Sequence, residues 1–576
     1  MYVCHCGINI AATVDVEAVA AFAQTLPNVV VARHYTYMCS DPGQELIKAD
    51  IAEHDLTHVV VASCSPWMHE PTFRGVVQEA GINPYCLEMA NIREQCSWVH
   101  KERELATEKA KQLVAAAVAK AALLQPLEER EVSIIPAALV IGGGIAGITA
   151  ALDIANAGFK VYLVEKDPVL GGRVAQLNCT FPTLESCQEL LRPRIKAVEE
   201  HPNIVLLTSS EVVGIEGYIG NFQVKVRQKS REDFVEFEVG AIVVATGYDH
   251  FDAHLKPELG YGQYPNVITA PEFERLSKEL GNGAAPTIRP SDHPTTQPPD
   301  YPTIRPRDVV FIQCVGSRDQ TVGNEYCSRV CCMYTAKQAH LVKEKLPDAN
   351  VTVFYMDVRA FGKGFEEFYD RVRREGVRYR RGSVSEIYKR GDRVVVRAED
   401  TLLGEPLEVE ADLVVLATGI VPRADAQVIA ELLKLPRSPD GFFAEAHPKL
   451  RPVDTVNDGI YLAGCCQGPK DIPDSIAQAK AAASSAMIPL SRGRVKVESM
   501  AGVVEEELCA GCGICESLCA YGALTRDARR GIITVNQVLC KGCGACAAVC
   551  PSGAMSLSHF THDQILAQID ALLEPC

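Results

Sequence analysis

Apolar positions along the chain fall into two rhythms. Short runs at Ala138–Ile141, Lys160–Val164, Ala241–Ala245, Asp308–Gln313, Asn350–Met356, Asp412–Ala417 and Ile460–Ala463 have the length and β-branched content of buried parallel strands. Ala-rich stretches of helical length stand between them, after Gly144, at Tyr334–Lys345 and at Asp474–Ala486. That alternation predicts an α/β fold built on parallel sheets. Residues 1–130 repeat it, with strand-like runs at Asn28–Ala32 and His58–Ala62 and helical runs at Val16–Thr25 and Glu102–Leu124. The rhythm breaks from Gly281 to Arg307, where Pro, Thr, Ser and Asp dominate and PTIRP occurs twice. No core can form from such text, so a linker or surface loop is expected.

The stretch Ala137–Arg173 turns pattern into chemistry. Gly142, Gly144 and Gly147 fit G-x-G-x-x-G between a strand and a helix that opens with Ile145 and Ala146. Glycines there permit the tight turn and let backbone N–H groups approach a pyrophosphate at the helix N-terminus. Glu165, followed by Lys166, ends the second strand, where an acid holds a ribose hydroxyl. The pair Gly171-Gly172, with Arg173 just beyond, favours FAD over NAD, since two-dinucleotide flavoproteins often carry a GG there. Ala245-Thr246-Gly247 closes the first half of a split flavin domain, and Thr418-Gly419 marks a second exit of the same kind. The chain then returns to the flavin domain through the turn at Gly464 and a helix beginning near Ile472, with Asp471 as its cap. That helix N-terminus would stabilise negative charge on a flavin ring, and Lys470 is the candidate side chain to help it. A second strand–helix–strand unit, Asp308–Met356, lacks the glycine fingerprint: its turn reads Cys314-Val315-Gly316-Ser317-Arg318.

Charge excludes some partners. The 57 basic and 73 acidic residues give a net charge of −16, which opposes nucleic acid or an anionic membrane surface. No apolar run is long enough to span a bilayer and MYVCHCGINI is no export signal, so a cytoplasmic protein is expected.

Without an export signal, the 23 cysteines in 576 residues read as metal ligands or redox groups, not disulfides. Cys509, Cys512, Cys515 and Cys519 form C-x2-C-x2-C-x3-C, and Cys540, Cys543, Cys546 and Cys550 repeat it. In two-cluster ferredoxins the fourth cysteine of each run ligates the other cluster. One 4Fe–4S cluster is therefore expected on Cys509, Cys512, Cys515 and Cys550, the other on Cys540, Cys543, Cys546 and Cys519. Cys314, Cys327, Cys331 and Cys332 match no ferredoxin or zinc spacing. They fall where the second unit lost its glycines, so a non-standard cluster facing the flavin is preferred to a reactive thiol pair. Cys4, Cys6, Cys39, Cys64 and Cys96 supply a further cluster or are buried small apolar residues, with the ligand set open.

The strings CHCG, YMCSDPGQELI, CSPWMHEPTFR, GGGIAGI, FIQCVGSR, YCSRVCCMYTAKQA and GPKDIPDSIAQA, with the ferredoxin runs, resemble the A-subunit of the heterodisulfide reductase complexes from end to end. The resemblance implies a thioredoxin-reductase-like core holding FAD and a cluster on Cys314, Cys327, Cys331 and Cys332. It also implies flavin-based electron bifurcation or confurcation. Its implied partners are heterodisulfide reductase B/C-like subunits, an electron-input subunit (hydrogenase-, formate dehydrogenase- or NADH-linked) and ferredoxin, around a homodimer. The extra ferredoxin module of methanogen members is absent, since residues 250–305 hold no cysteine, and Cys179 and Cys187 are spaced more widely than the family pattern. Rival readings are an NAD(P)H-dependent disulfide reductase and a relay subunit that does not bifurcate. The expected domains are an α/β domain at 1–130, a flavin domain at 131–305 and 426–495, a second Rossmann-like domain at 306–425, a two-cluster ferredoxin domain at 496–560 and a tail at 561–576.

Overall fold

The computed structural model describes residues 1–229, 233–279 and 306–573. Most of the Gly281–Arg307 segment with its PTIRP copies, and Cys576, lie outside these residues. The chain forms two compact units, Ser133–Val495 and one that combines Met1–Val132 with the segment from Lys496 onward.

In Ser133–Val495 a five-stranded sheet runs Ile460–Leu462, Ala241–Val244, Ala137–Ile141, Lys160–Val164, Ile204–Leu207, with every pair parallel. The central strands are buried on both faces, as their unbroken apolar text requires. On one face the helices Ile145–Asn156 and Ile472–Arg492 pack together through Ala150, Ala151, Ala479, Ala482 and Ala483, small residues that let the backbones approach closely. A three-stranded antiparallel sheet (Ser210–Tyr218, Asn221–Gln228, Phe234–Val239) joins the core of the other face.

The second sheet runs Val267–Thr269, Leu413–Thr418, Asp308–Val315, Asn350–Tyr355, Arg378–Arg381, again all parallel. Its first strand lies before the expected boundary at residue 305. Val267–Thr269 pairs with Leu413–Thr418, so the chain has left the flavin domain by then. The two halves are tied by an antiparallel pair, Asp249–His250 against Ile420–Val421.

In the other unit a parallel sheet runs Arg33–Tyr35, Tyr2–Cys4, Val59–Ser63, Leu87–Asn91. The edge strand is not at Asn28–Ala32 as expected, but follows it. The Gln24 amide bonds the carbonyls of Val29 and Val30 and the N–H of Ala32, so their backbone is satisfied outside the ladder. The helix Arg103–Ala121 packs on this sheet through Ala106, Ala110, Val114 and Ala117. The segment expected to be a tail is a helix, His562–Leu573, lying along Arg103–Ala121, and the Gln564 amide donates to Leu123 O at 2.9 Å. Arg74 pairs with Glu498 at 3.0 Å and lies over the Tyr85 ring, while His559 bonds Gln125 O at 2.8 Å. The segments 1–130 and 496–573 therefore share one body.

Candidate functional site

The glycine turn is shaped by contacts that exclude side chains. A Cβ at Gly147 would lie 1.7 Å from Gly142 O, and one at Gly142, where φ is 107°, would lie 2.4 Å from Ala245 O. At Gly144, which caps the helix Ile145–Asn156 without any side-chain acceptor, a Cβ would meet no protein atom within 4 Å. Free backbone donors therefore face open space, the condition for an anion at a helix N-terminus. The Glu165 carboxylate accepts from Gly143 N at 2.5 Å and Asp167 N at 2.8 Å, and burial raises its pKa against those two bonds. A carboxylate accepts about four hydrogen bonds, so two positions stay available for ribose hydroxyls. These residues fit a dinucleotide.

They open on a cavity of about 1000 Å³. Gly142, Gly144, Ile145, Ala146, Glu165 and Lys166 line it, as do Gly172, Arg173, Ala245, Thr246, Gly247 and Ile472. Gly147 and Gly464 do not; a Cβ on Gly464 would approach Ala146 Cβ to 2.9 Å, so both glycines permit packing. Asp471 caps the helix Ile472–Arg492 through Asp474 N at 2.8 Å. Lys470 also borders the cavity, but its ammonium is turned back onto Gln467 Oε1 at 2.5 Å and Gly468 O at 3.1 Å, and burial lowers its pKa.

One face of the helix Cys331–Lys345 also lines the cavity. Tyr334, Lys337 and Gln338, with Val330 just before the helix, follow helical spacing and all line the cavity. Lys337 Nζ pairs with Glu274 at 2.7 Å, the side chains being 2% and 3% exposed. Sequence reasoning missed this pair, because Lys337 reads as the polar face of an ordinary helix and Glu274 as a surface residue.

The same helix begins with Cys331 and Cys332. Cys314 sits at a bulge where the pairing of Asp308–Val315 with Leu413–Thr418 slips between Ile312 and Val315. Its φ is 60°, and Arg318 and Arg329 are also left-handed, at 57° and 63°. Such backbone costs on the order of 1–3 kcal/mol per residue and concentrates where a loop must aim particular side chains. Burial, then the neighbouring Cys332, pushes the Cys314 thiol up to about 12, with Cys327 adding to the rise. Burial and Cys314 push Cys331 up as well, and Cys332 and Cys327 reinforce it. Gln313 Nε2 and Tyr379 OH, both buried, have no hydrogen-bond partner among the described residues. Clustered thiols with unused donors nearby fit an iron–sulfur group.

In the carboxy-terminal segment the two cysteine runs interleave. Cys550 and Cys512 raise the pKa of Cys515 behind the larger effect of burial, and Cys543 and Cys519 both raise that of Tyr521, again behind burial. Backbone N–H groups of Ile533, Gly502 and Ala523 donate to Cys509, Cys540 and Cys519 sulfur at 3.5, 3.3 and 3.3 Å.

At the carboxyl ends of the strands Tyr2–Cys4, Arg33–Tyr35 and Val59–Ser63, the thiols of Cys4, Cys6, Cys39 and Cys64 converge. Cys6 raises the pKa of each of the other three, behind burial. Arg93 Nη1 lies 3.3 Å from Cys6 sulfur. Cys96 stands apart: its thiol donates to Ala106 O at 3.1 Å, inside the packing beneath Arg103–Ala121.

Two family descriptions match the chain. Residues 136–486 match pyridine nucleotide-disulphide oxidoreductase and residues 508–554 match the 4Fe-4S dicluster domain. The second iron-sulfur A-subunit of CoB–CoM heterodisulfide reductase from Methanopyrus kandleri is 49% identical, over 91% of this chain and 90% of that one. The chain belongs to the heterodisulfide reductase A-subunit family. The A-subunit of the H(2):CoB-CoM heterodisulfide,ferredoxin reductase of Methanothermobacter marburgensis, at 47%, is matched over 100% of this chain and 97% of its own length. Among solved structures, the thioredoxin reductase of Lactococcus lactis is 19% identical, covering 62% of this chain and 100% of that chain with a TM-score of 0.42.

This member of the family is an oxidoreductase with a flavin-type core and a carboxy-terminal 4Fe–4S domain, and the oxidoreductase match points to FAD. Among the described residues no helix is long and apolar enough to cross a membrane.

Proposed function

We propose that this chain is the flavin-bearing subunit of a complex that divides electron pairs. One electron of each pair goes to an oxidant on a heterodisulfide reductase B/C-like partner and the other to a ferredoxin. FAD in the cavity would supply a carrier that takes two electrons and yields them singly, and 4Fe–4S clusters would supply one-electron carriers with potentials between roughly −700 and +450 mV.

The helix Cys331–Lys345 carries this reading. Its first residues belong to the thiol group and the face that follows borders the cavity, so one rigid element serves both. Cys314, Cys327, Cys331 and Cys332 would hold a cluster at the place of a nicotinamide nucleotide, whose glycine fingerprint is missing. Glu165 would hold the ribose, and the N–H groups after Gly144 the diphosphate. The carboxy-terminal clusters would be shared crosswise, with Cys550 joining Cys509, Cys512 and Cys515, and Cys519 joining Cys540, Cys543 and Cys546. Cys4, Cys6, Cys39 and Cys64 would hold a further cluster.

A relative named as part of an H(2):CoB-CoM heterodisulfide,ferredoxin reductase supports a hydrogenase-linked input and a ferredoxin acceptor. The test is coupling in the natively purified complex under anaerobic conditions. Ferredoxin should be reduced only while the high-potential oxidant is also present, one electron to each. Ferredoxin reduction at the same rate without that oxidant would refute the proposal.

A further inference from the structure

Gln313 stands immediately before Cys314 in the bulged strand and is 7% exposed. Its amide oxygen faces a thiol: Cys332 Sγ lies 3.7 Å from Oε1. Nε2, also buried, has no hydrogen-bond partner among the described residues. Around the same sulfur are Asp357 O at 3.7 Å, and Arg359 N, which donates to it at 3.5 Å. A thiol can donate to Oε1. A cysteine that ligates a metal is a thiolate, which only accepts, and Oε1 would then face it lone pair to lone pair. A half-turn of the amide exchanges oxygen and nitrogen in the same volume and places an N–H on the sulfur. The one rotation removes the repulsion and gives the unused donor its partner.

We propose that Gln313 is a positioning residue whose amide N–H bonds the Cys332 sulfur of a cluster held by Cys314, Cys327, Cys331 and Cys332, and so raises that cluster's reduction potential. The inference rests on the reading that these four thiols hold a cluster. Reduction adds one electron to the cluster, and a donor on a ligand sulfur favours the more negative form.

The test is an EPR-monitored redox titration of the anaerobically purified full chain. Cys331→Ala first identifies the signal of this cluster by its loss. Gln313→Met, similar in size but without a donor, should then lower the reduced-to-oxidised ratio of that signal about tenfold at fixed potential, about 59 mV for a one-electron couple. Iron content, FAD content and the remaining signals should stay unchanged. In the unmodified protein carrying 15N in its glutamine side chains, pulsed EPR should show a nitrogen coupling to the same signal. This second readout decides the matter if Gln313→Met does not retain the cluster.

A signal that keeps its potential in Gln313→Met, or that shows no glutamine coupling in the unmodified protein, overturns the role of Gln313 and leaves the cluster standing. If no signal depends on Cys331, the cluster reading falls and the role of Gln313 with it.

Discussion

Lys337 and Glu274 meet at 2.7 Å inside the wall of the cavity, and each is held by further bonds. Nζ donates to Cys179 O at 2.9 Å, and the carboxylate accepts from Gln338 Nε2 at 2.7 Å and Asn178 N at 3.0 Å. Lys337 belongs to the second sheet's helix, whereas Cys179 and Asn178 follow the Gly172–Gln176 turn of the flavin half, so the pair also fastens the two halves together.

Removing one partner should therefore be costly. Lys337→Met leaves a buried carboxylate unpaired and should destabilise the unit by about 3–5 kcal/mol. Lys337→Met with Glu274→Gln should recover most of that loss, because no buried charge remains and the amide oxygen still accepts from Asn178 N or Gln338 Nε2. Denaturant unfolding of the two variants measures both values.

The two neighbouring glycines should respond differently to alanine. At Gly147 the new methyl would stand 1.7 Å from Gly142 O, so Gly147→Ala should lower the thermal midpoint of the FAD-free protein. At Gly144 there is room among the protein atoms, so Gly144→Ala should leave that midpoint in place and weaken FAD binding, since the methyl enters the space before the helix N-terminus. Melting curves and a flavin titration separate the two effects.

The amino-terminal thiols make an equally sharp contrast. Cys64→Ala should remove one cluster's worth of iron from anaerobically prepared protein, whereas Cys96→Ala should remove none. Iron analysis of both variants checks the grouping, and equal losses would refute it.

Stability should fall on the acid side through His250. Burial, followed by Arg173, lowers its pKa from 6.5 to about 4, with Asp249 opposing. Between those values the unfolded chain binds a proton that the folded chain refuses. Stability present above pH 6.5 is thus lost progressively as the pH falls toward 4, on the order of 3 kcal/mol in all. His250→Gln should flatten this part of the profile in urea unfolding followed against pH.

The strand–turn–helix of the flavin half was legible because its signals are local. Lys160–Val164 is a strand with the bounds expected of it, and the helix after Gly144 begins at Ile145. The expectation at Asn28–Ala32 failed because an apolar run shows that residues are buried, not which groups satisfy their backbone. There the Gln24 side chain took the bonds a neighbouring strand would have made. Lys470, beside a helix N-terminus in the sequence, borders the cavity, and its ammonium bonds Gln467 and Gly468 of its own turn. Lys337, which lines the cavity and pairs with Glu274, comes from a helix whose polar text looks unremarkable.

By itself, the amino-acid order determined what depends on neighbours a few residues apart: the glycine turn, the alternation of strand and helix, and the paired ferredoxin runs. Folding alone decided what depends on residues far apart in the chain. It grouped Cys4, Cys6, Cys39 and Cys64 while leaving Cys96 within the apolar packing, and it set Lys337 on Glu274. It also joined the helix His562–Leu573 to Arg103–Ala121. The physical reason is that backbone geometry and hydrogen bonding carry information along the chain only over a turn or two. Burial and charge pairing act between surfaces that meet after the sheets have formed.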